Sequence, residues 1–297
     1  MNNSILRLIT GWVFGLIALA CIIFGGLPLL LLLSVVIFLA SKEFVHILEH
    51  KGFFPSLKVI VVADVIFAVL AYFNCFNLVP LAFTAGTMIA FMWVLFKGKQ
   101  PYTANVATTI VGFVYSGWFP LHLLFLRDLG SNNTSSSMQM ILKTDFMNAG
   151  LGYVIFMFLL VIITDVGCYY FGRNFGKHKL APVISPNKTI EGSIGGAVCA
   201  LIGGFIIAYF IKLPWYHTII AALLVTTFAQ IGDLCESLLK RDAGVKDSGN
   251  LLPGHGGFLD RTDSYVFTIP VIYYYFLYFV VDNHQWIKLI NFIKGIF

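Results

Sequence analysis

Six of the chain's 14 acidic residues fall in one short stretch: Asp233, Glu236, Asp242, Asp247, Asp260 and Asp263. Lys240, Arg241, Lys246, His255 and Arg261 lie among them. The chain is 59% hydrophobic and only 11% charged, so packing does not account for this gathering. Near lipid each ionisable group costs free energy unless it is paired, hydrated or coordinating something. Asp233 and Glu236 are three residues apart and Lys240 follows four beyond Glu236, which places them on one helical face. Pro253-Gly254-His255-Gly256-Gly257 cannot continue as ordinary helix, and its glycines let backbone amides approach an anion. Asp233 and Asp260 belong to different helices that the glycine-rich turn can double back to meet, so the two are expected to share one metal ion. Carboxylates are hard oxygen ligands suited to Mg²⁺, which typically takes one or two of them plus substrate phosphates. Lys240, Arg241, Lys246 and Arg261 supply positive charge for those phosphates. The competing reading, a solvated loop with helix-end salt bridges, explains single charges better than it explains this density.

A second cluster begins at Asp165, an acid inside an apolar run and so a functional residue by default; a plain helix–helix hydrogen bond is its alternative. Arg173, Lys177, Ser185, Lys188, Thr189 and Glu191 follow. Gly172-x-x-x-Gly176-Lys177 is one residue short of a P-loop and lacks its hydroxyl residue. Lys188-Thr189-x-Glu191-Gly192 reads as a polar lip ending in a helix start. Asp64 is isolated and reads as structural or as lining a polar cavity. His46, His50, His122, His217 and His284 show no metal spacing. The five cysteines are scattered without a C-x-x-C pair, so neither a zinc site nor a disulfide framework is expected.

The elements that must carry these residues are membrane helices. A mean hydropathy of +0.87 and apolar runs close to the roughly 20 residues that cross a bilayer give an all-α, polytopic membrane protein. We place nine spans, near residues 8–24, 27–46, 58–76, 79–96, 104–126, 148–171, 193–211, 216–239 and 263–281. They form a single membrane domain over 1–297, with an N-terminal helical part (1–145) and a part (146–297) bearing polar loops at 172–192 and 240–262. The first apolar run is too long for a signal peptide and reads as an uncleaved span. With the N-terminus inside, 14 of the 19 Lys and Arg residues fall on the cytoplasmic side, as the positive-inside rule requires. Both polar loops then face the cytoplasm. A Ser/Asn-rich outer loop (128–148) and an interfacial amphipathic tail (284–297) complete the layout. Gly192, Gly195, Gly196, Gly203 and Gly204 line the seventh span, which reads as close helix packing. No motif or basic repeat points to nucleic acid.

Ser237-x-Leu239-Lys240-Arg241-x4-Lys246-Asp247-x-Gly249-x2-Leu252-Pro253-x-His255-Gly256-Gly257-Phe258-x-Asp260-Arg261-Thr262-Asp263 matches, at every fixed position, the signature of the phosphatidate cytidylyltransferases, also called CDP-diacylglycerol synthases. The Asp165–Gly192 cluster, including the run Ser185-Pro186-x-Lys188-Thr189-x-Glu191-Gly192, resembles the same family's second polar region. Val166 and Cys168 depart from it, standing where many relatives carry a hydroxyl residue and alanine. Residues 1–145 resemble the family in hydropathy and span count alone. The resemblance implies that CTP and phosphatidate react to give CDP-diacylglycerol and pyrophosphate at the inner face of the cell membrane. It also implies Mg²⁺ with a second cation, K⁺ being the candidate, held by Asp233 and Asp260, and a homodimer. The catalytic set it implies is Asp233, Lys240, Arg241, Lys246, Asp247, His255, Asp260, Arg261 and Asp263. Asp165, Arg173, Lys177, Ser185, Lys188, Thr189 and Glu191 would bind substrate. Two rivals are weaker. The D-x-x-D-G-x-x-A-R pattern of the CDP-alcohol phosphotransferases is absent, and a transporter would carry repeated halves with charges near the bilayer midplane.

Overall fold

A computed structural model describes residues 3–130, 148–249 and 256–282, with side chains from residue 11 onward. Among them the chain is a bundle of helices: α1 (Asn3–Phe24), α2 (Gly26–His50), α3 (Leu57–Tyr72), α4 (Val79–Lys97) after a single 3₁₀ turn, α5 (Tyr102–Gly112), α6 (Phe119–Asp128), α7 (Ala149–Phe175), α8 (Ile190–Ile211), α9 (Trp215–Asp242) and α10 (Leu259–Tyr275). A π-helical stretch, Phe113–Trp118, joins α5 to α6, and another, Phe276–Val281, prolongs α10. The described residues thus hold nine helical rods where nine spans were expected. Seven of them are long and apolar enough to cross a membrane. The other two are α1, whose apolar part is Gly11–Phe24, and the 16-residue α3. The expected outer loop (131–147) and tail (from 283) lie outside the described residues.

Local chemistry sets several boundaries. Asn148 Oδ1 accepts from Gly150 N at the start of α7, and Thr189 Oγ1 accepts from Gly192 N (3.1 Å) at the start of α8. The outward faces carry bare apolar side chains such as Leu95, Phe96, Tyr209 and Phe210, as lipid contact requires. The core runs through α2, α3, α6, α7, α9 and α10. The glycines of the seventh span do pack: a Cβ at Gly196 would come 2.4 Å from Cys168 Sγ and 2.9 Å from the Thr164 carbonyl oxygen of α7. The polar lip expected at 188–192 does run into a helix start, at Ile190, and its first residues end a strand, Ser185–Thr189. That strand pairs antiparallel with Lys179–Ala181 as a two-stranded hairpin between α7 and α8.

Asp64 is structural. Buried on α3, it accepts from Ser41 Oγ (3.0 Å), which lies 2.8 Å from Ser116 Oγ in the π-helical stretch. His122 and His217 are structural too, meeting Tyr274 and Tyr275 hydroxyls at 3.2 and 2.8 Å. Arg127, just past the fifth expected span, is buried and donates to the Ile22 and Ile23 carbonyls at the end of α1, both at 2.8 Å.

Candidate active site

Three helices and the hairpin meet at one end of the bundle. Asp165 stands ten residues before the end of α7 and Asp233 nine before the end of α9, about 15 and 14 Å along their axes. Asp263 lies in the first turns of α10. Asp165, Asp233 and Asp263 are within electrostatic range of one another. Lys188, on the hairpin, closes on them: its Nζ is 2.6 Å from Asp233 Oδ2. Asp165 sits on an exposed face of α7 with Val166, Tyr169 and Tyr170, so this end of the site opens sideways where lipid would lie.

Lys240 holds the other half. Its Nζ pairs with fully buried Glu236, one turn earlier on α9, and lies 2.6 Å from Asp260 Oδ1. Asp260 Oδ2 accepts from Ser248 N (3.0 Å), Ser248 Oγ (2.9 Å) and Gly257 N (2.8 Å). The two acids expected at one metal therefore each engage a different lysine. Among the described residues no three His, Cys, Asp or Glu side chains converge at ligating distance. The carboxylates richest in acidic company are Asp233, Asp165 and Asp263, with Lys188 as the cation in contact. That donor set is all oxygen and leaves excess negative charge, which fits a hard divalent cation.

The remaining expected residues divide by what they touch. Thr189 is the cap of α8. Glu191 clasps the hairpin, accepting from the backbone amides of Lys177 (3.0 Å) and His178 (3.1 Å) and meeting His178 Nδ1 at 2.6 Å. Its carboxylate thus supports the fold of the lip. Arg241 donates to the Ile184 carbonyl (3.3 Å) and the Val245 carbonyl (3.2 Å), tying hairpin to loop. Ser185 lies half-buried on the second strand, while Arg173 and Lys177 are exposed at the hairpin's edge, Arg173 against the Tyr169 hydroxyl. Lys246 and Asp247 are exposed on the loop after α9, where with His46 and His50 of α2 they line a cleft of about 240 Å³. Arg261 is exposed on the first turn of α10. His255 lies outside the described residues.

Glu43 and Ser248 were not foreseen. Glu43 of α2 is buried, and it accepts from Phe258 N (3.0 Å), Leu259 N (2.9 Å) and Ser248 Oγ (3.0 Å). The available signal was Glu43 itself, an acid toward the C-terminal end of an apolar span, where a buried partner is required.

Comparison with known proteins finds similar chains. The phosphatidate cytidylyltransferase of Synechocystis sp. is 33% identical over 281 residues, covering 91% of this chain and 95% of that protein. The phosphatidate cytidylyltransferases of Staphylococcus haemolyticus and Staphylococcus aureus are 52% and 53% identical over 125 residues, which span 41% of this chain and 48% of theirs. The profile of the cytidylyltransferase family matches residues 5–279, and with nearly the whole chain so covered this membrane protein belongs to that family.

Proposed function

We propose that the chain transfers the cytidylyl group of CTP to phosphatidate, giving CDP-diacylglycerol and pyrophosphate for phospholipid synthesis. The observation that carries the reading is the meeting of Asp165, Lys188, Asp233 and Asp263 beside the Lys240–Asp260 pair, at a place open both to a polar loop and to the lipid-facing side of α7. A phosphate oxygen of phosphatidate attacks the α-phosphorus of CTP. The new O–P bond forms as the bond to the β-phosphate oxygen breaks, and pyrophosphate leaves. The nucleophile is already anionic, so the protein's work is positioning and charge neutralisation.

Each residue then has a part. Lys240, locked between Glu236 and Asp260, presents a fixed ammonium. Lys188, only partly covered on the hairpin, can meet a phosphate that approaches Asp233. Lys246 and Arg261, both exposed, meet the outer phosphates of the nucleotide. Arg241 keeps the hairpin, and Lys188 with it, against the end of α9. Mg²⁺ would be held by Asp233, with Asp165 and Asp263 contributing negative charge from beyond ligating distance, and would supply neutralisation of charge on the departing pyrophosphate, with K⁺ as the second cation. Asp260 joins such a site only by releasing Lys240. The polar end faces the cytoplasm, where CTP is, and the working assembly is a homodimer.

The test supplies membranes with labelled CTP and phosphatidate and follows the label into extracted lipid. Label in lipid is the expected outcome. Label that merely crosses into sealed vesicles would make the protein a transporter.

A further inference from the structure

We infer that Glu43, on α2 in the N-terminal half, is a positioning residue for this site: its carboxylate fixes Ser248 and the start of α10, and through them Asp260 and Lys240. The inference rests on the proposed reaction for its readout.

Glu43 is 4% exposed, and among the described residues no cation lies within ion-pair distance of it. Its charge is met instead by the amides of Phe258 and Leu259, the first of α10, and by the Ser248 hydroxyl. Helix N-termini attract anions through unpaired amides and the aligned peptide dipoles. Helices ordinarily take that anion or hydroxyl from their own cap residue. The local cap here is Phe258, which has no side chain able to serve. The acid is brought from another helix, so it does more than end α10.

One carboxylate holds the loop at two points. Ser248 lies in the loop beyond the end of α9, and Leu259 is where the chain enters α10. The space around the acid is filled. A Cβ on Gly257 would lie 2.1 Å from Ser248 Oγ and 2.4 Å from Glu43 Oε2, and one on Gly249 would lie 2.8 Å from Glu43 Oε1. Those two signature glycines are the positions that the carboxylate's packing excludes from having a side chain.

Ser248 passes the constraint on. It is 1% exposed, and its Oγ lies 3.0 Å from Glu43 Oε2 and 2.9 Å from Asp260 Oδ2. A hydroxyl has one proton to donate, so donation to one acid is withdrawn from the other and the two carboxylates are coupled through it. Asp260 Oδ2 is further fixed by the amides of Ser248 and Gly257, which leaves Oδ1 turned to Lys240 at 2.6 Å. The chain of contact therefore runs from Glu43 through Ser248 and Asp260 to the ammonium that faces the substrate phosphates. Small misplacement of such a group costs rate steeply, about a hundredfold per ångström.

The experiment compares purified full-length wild type, Glu43→Gln, Ser248→Ala and the double variant. It reads kcat, KM for CTP and for phosphatidate, and melting temperature in detergent. Each single substitution is expected to lower kcat by about a hundredfold, to leave both KM values within about threefold, and to lower melting without unfolding the protein at the assay temperature. The double variant should be no slower than the worse single one, because both act through one chain of contacts. Wild-type kcat in Glu43→Gln, or losses that multiply in the double variant, would overturn the inference. So would a kcat loss that disappears on cooling, since that marks unfolding. Should Glu43→Gln fail to fold, Ser248→Ala decides alone, because it removes a single hydroxyl: normal kcat there refutes the role. Wild type that transfers no label to lipid refutes the reaction itself, whereas an active wild type with unaffected variants refutes only the part assigned to Glu43.

Discussion

Lys240 and Lys188 are both cations beside acids, yet their surroundings give them different consequences. Lys240 is nearly covered and stands between fully buried Glu236 and Asp260. Lys240→Met leaves two carboxylates without their counterion, a change of about 3–5 kcal/mol where a buried pair is broken. A large drop in melting temperature together with loss of turnover is expected in a thermal scan and the lipid-labelling assay; normal melting would show that Lys240 is not the pair's counterion. Asp233 is half-buried and its lysine partly exposed, so Asp233→Asn is expected to abolish most turnover with melting nearly unchanged. Asp260→Asn, by contrast, should lower both, because Asp260 anchors Lys240, Ser248 and Gly257. Equal melting curves for the two asparagine variants would contradict this distinction. The Glu236–Lys240 contact was legible in the sequence because a spacing of four on a helix is a local rule. Glu43 was not, because its partners lie 215 and 216 residues further on and no local rule reaches that far.

At the scale of elements, the closest approach is between α7 and α8, where glycine substitutes for a side chain. Gly196→Leu would drive a branched side chain into Cys168 and the Thr164 carbonyl. Overpacking of this kind typically costs about 1–3 kcal/mol. It would also displace α7, which carries Asp165, from α8, into whose start the hairpin with Lys188 runs. Lower melting with a reduced rate is the expected pair of results, and unaltered activity at normal melting would remove α7–α8 packing from the site's support. The spans themselves were legible from hydropathy, since lipid-facing helices must be apolar along their length. The hairpin was not. Its strands, Lys179–Ala181 and Ser185–Thr189, are too short and too polar to show strand alternation, and they are held by Glu191 and Arg241 contacts that only the folded chain creates. The π-helical stretches left no periodic trace either, because one extra residue per turn does not alter an apolar run.

For the whole molecule the unequal distribution of Lys and Arg sets the expected orientation. Two exposed positions at opposite ends of α8 test it: Val183, 89% exposed at the hairpin, and Lys212, exposed in the turn before α9. In intact cells an impermeant thiol reagent is expected to label Lys212→Cys and to spare Val183→Cys, with both labelled after lysis. The opposite pattern would invert the protein in the membrane. Ser248, although polar and in the loop, is buried and would report nothing in such an experiment. The halves read from the sequence as 1–145 and 146–297 are also joined more closely than hydropathy alone implied. Lys51 at the end of α2 lies 2.6 Å from Asp242 at the end of α9, and α2 residues Phe44, Ile47 and Leu48 pack with Leu259 and Val266 of α10.

The cap that α2 lends to α10 also imposes an order on biosynthesis. Glu43 leaves the ribosome more than 200 residues before the amides that will receive it. At about 5–20 residues per second that interval lasts on the order of ten to forty seconds. Throughout it an acid destined for burial has no native partner, and a bare carboxylate is costly to hold away from water. The early helices must therefore insert with the C-terminal end of α2 still hydrated, and the groove beside it shuts only when the last span arrives. A chain stalled before residue 258 would be expected to hold its earlier helices in place yet leave that end of α2 open to water-soluble reagents, so that closure of the groove marks the final step of assembly.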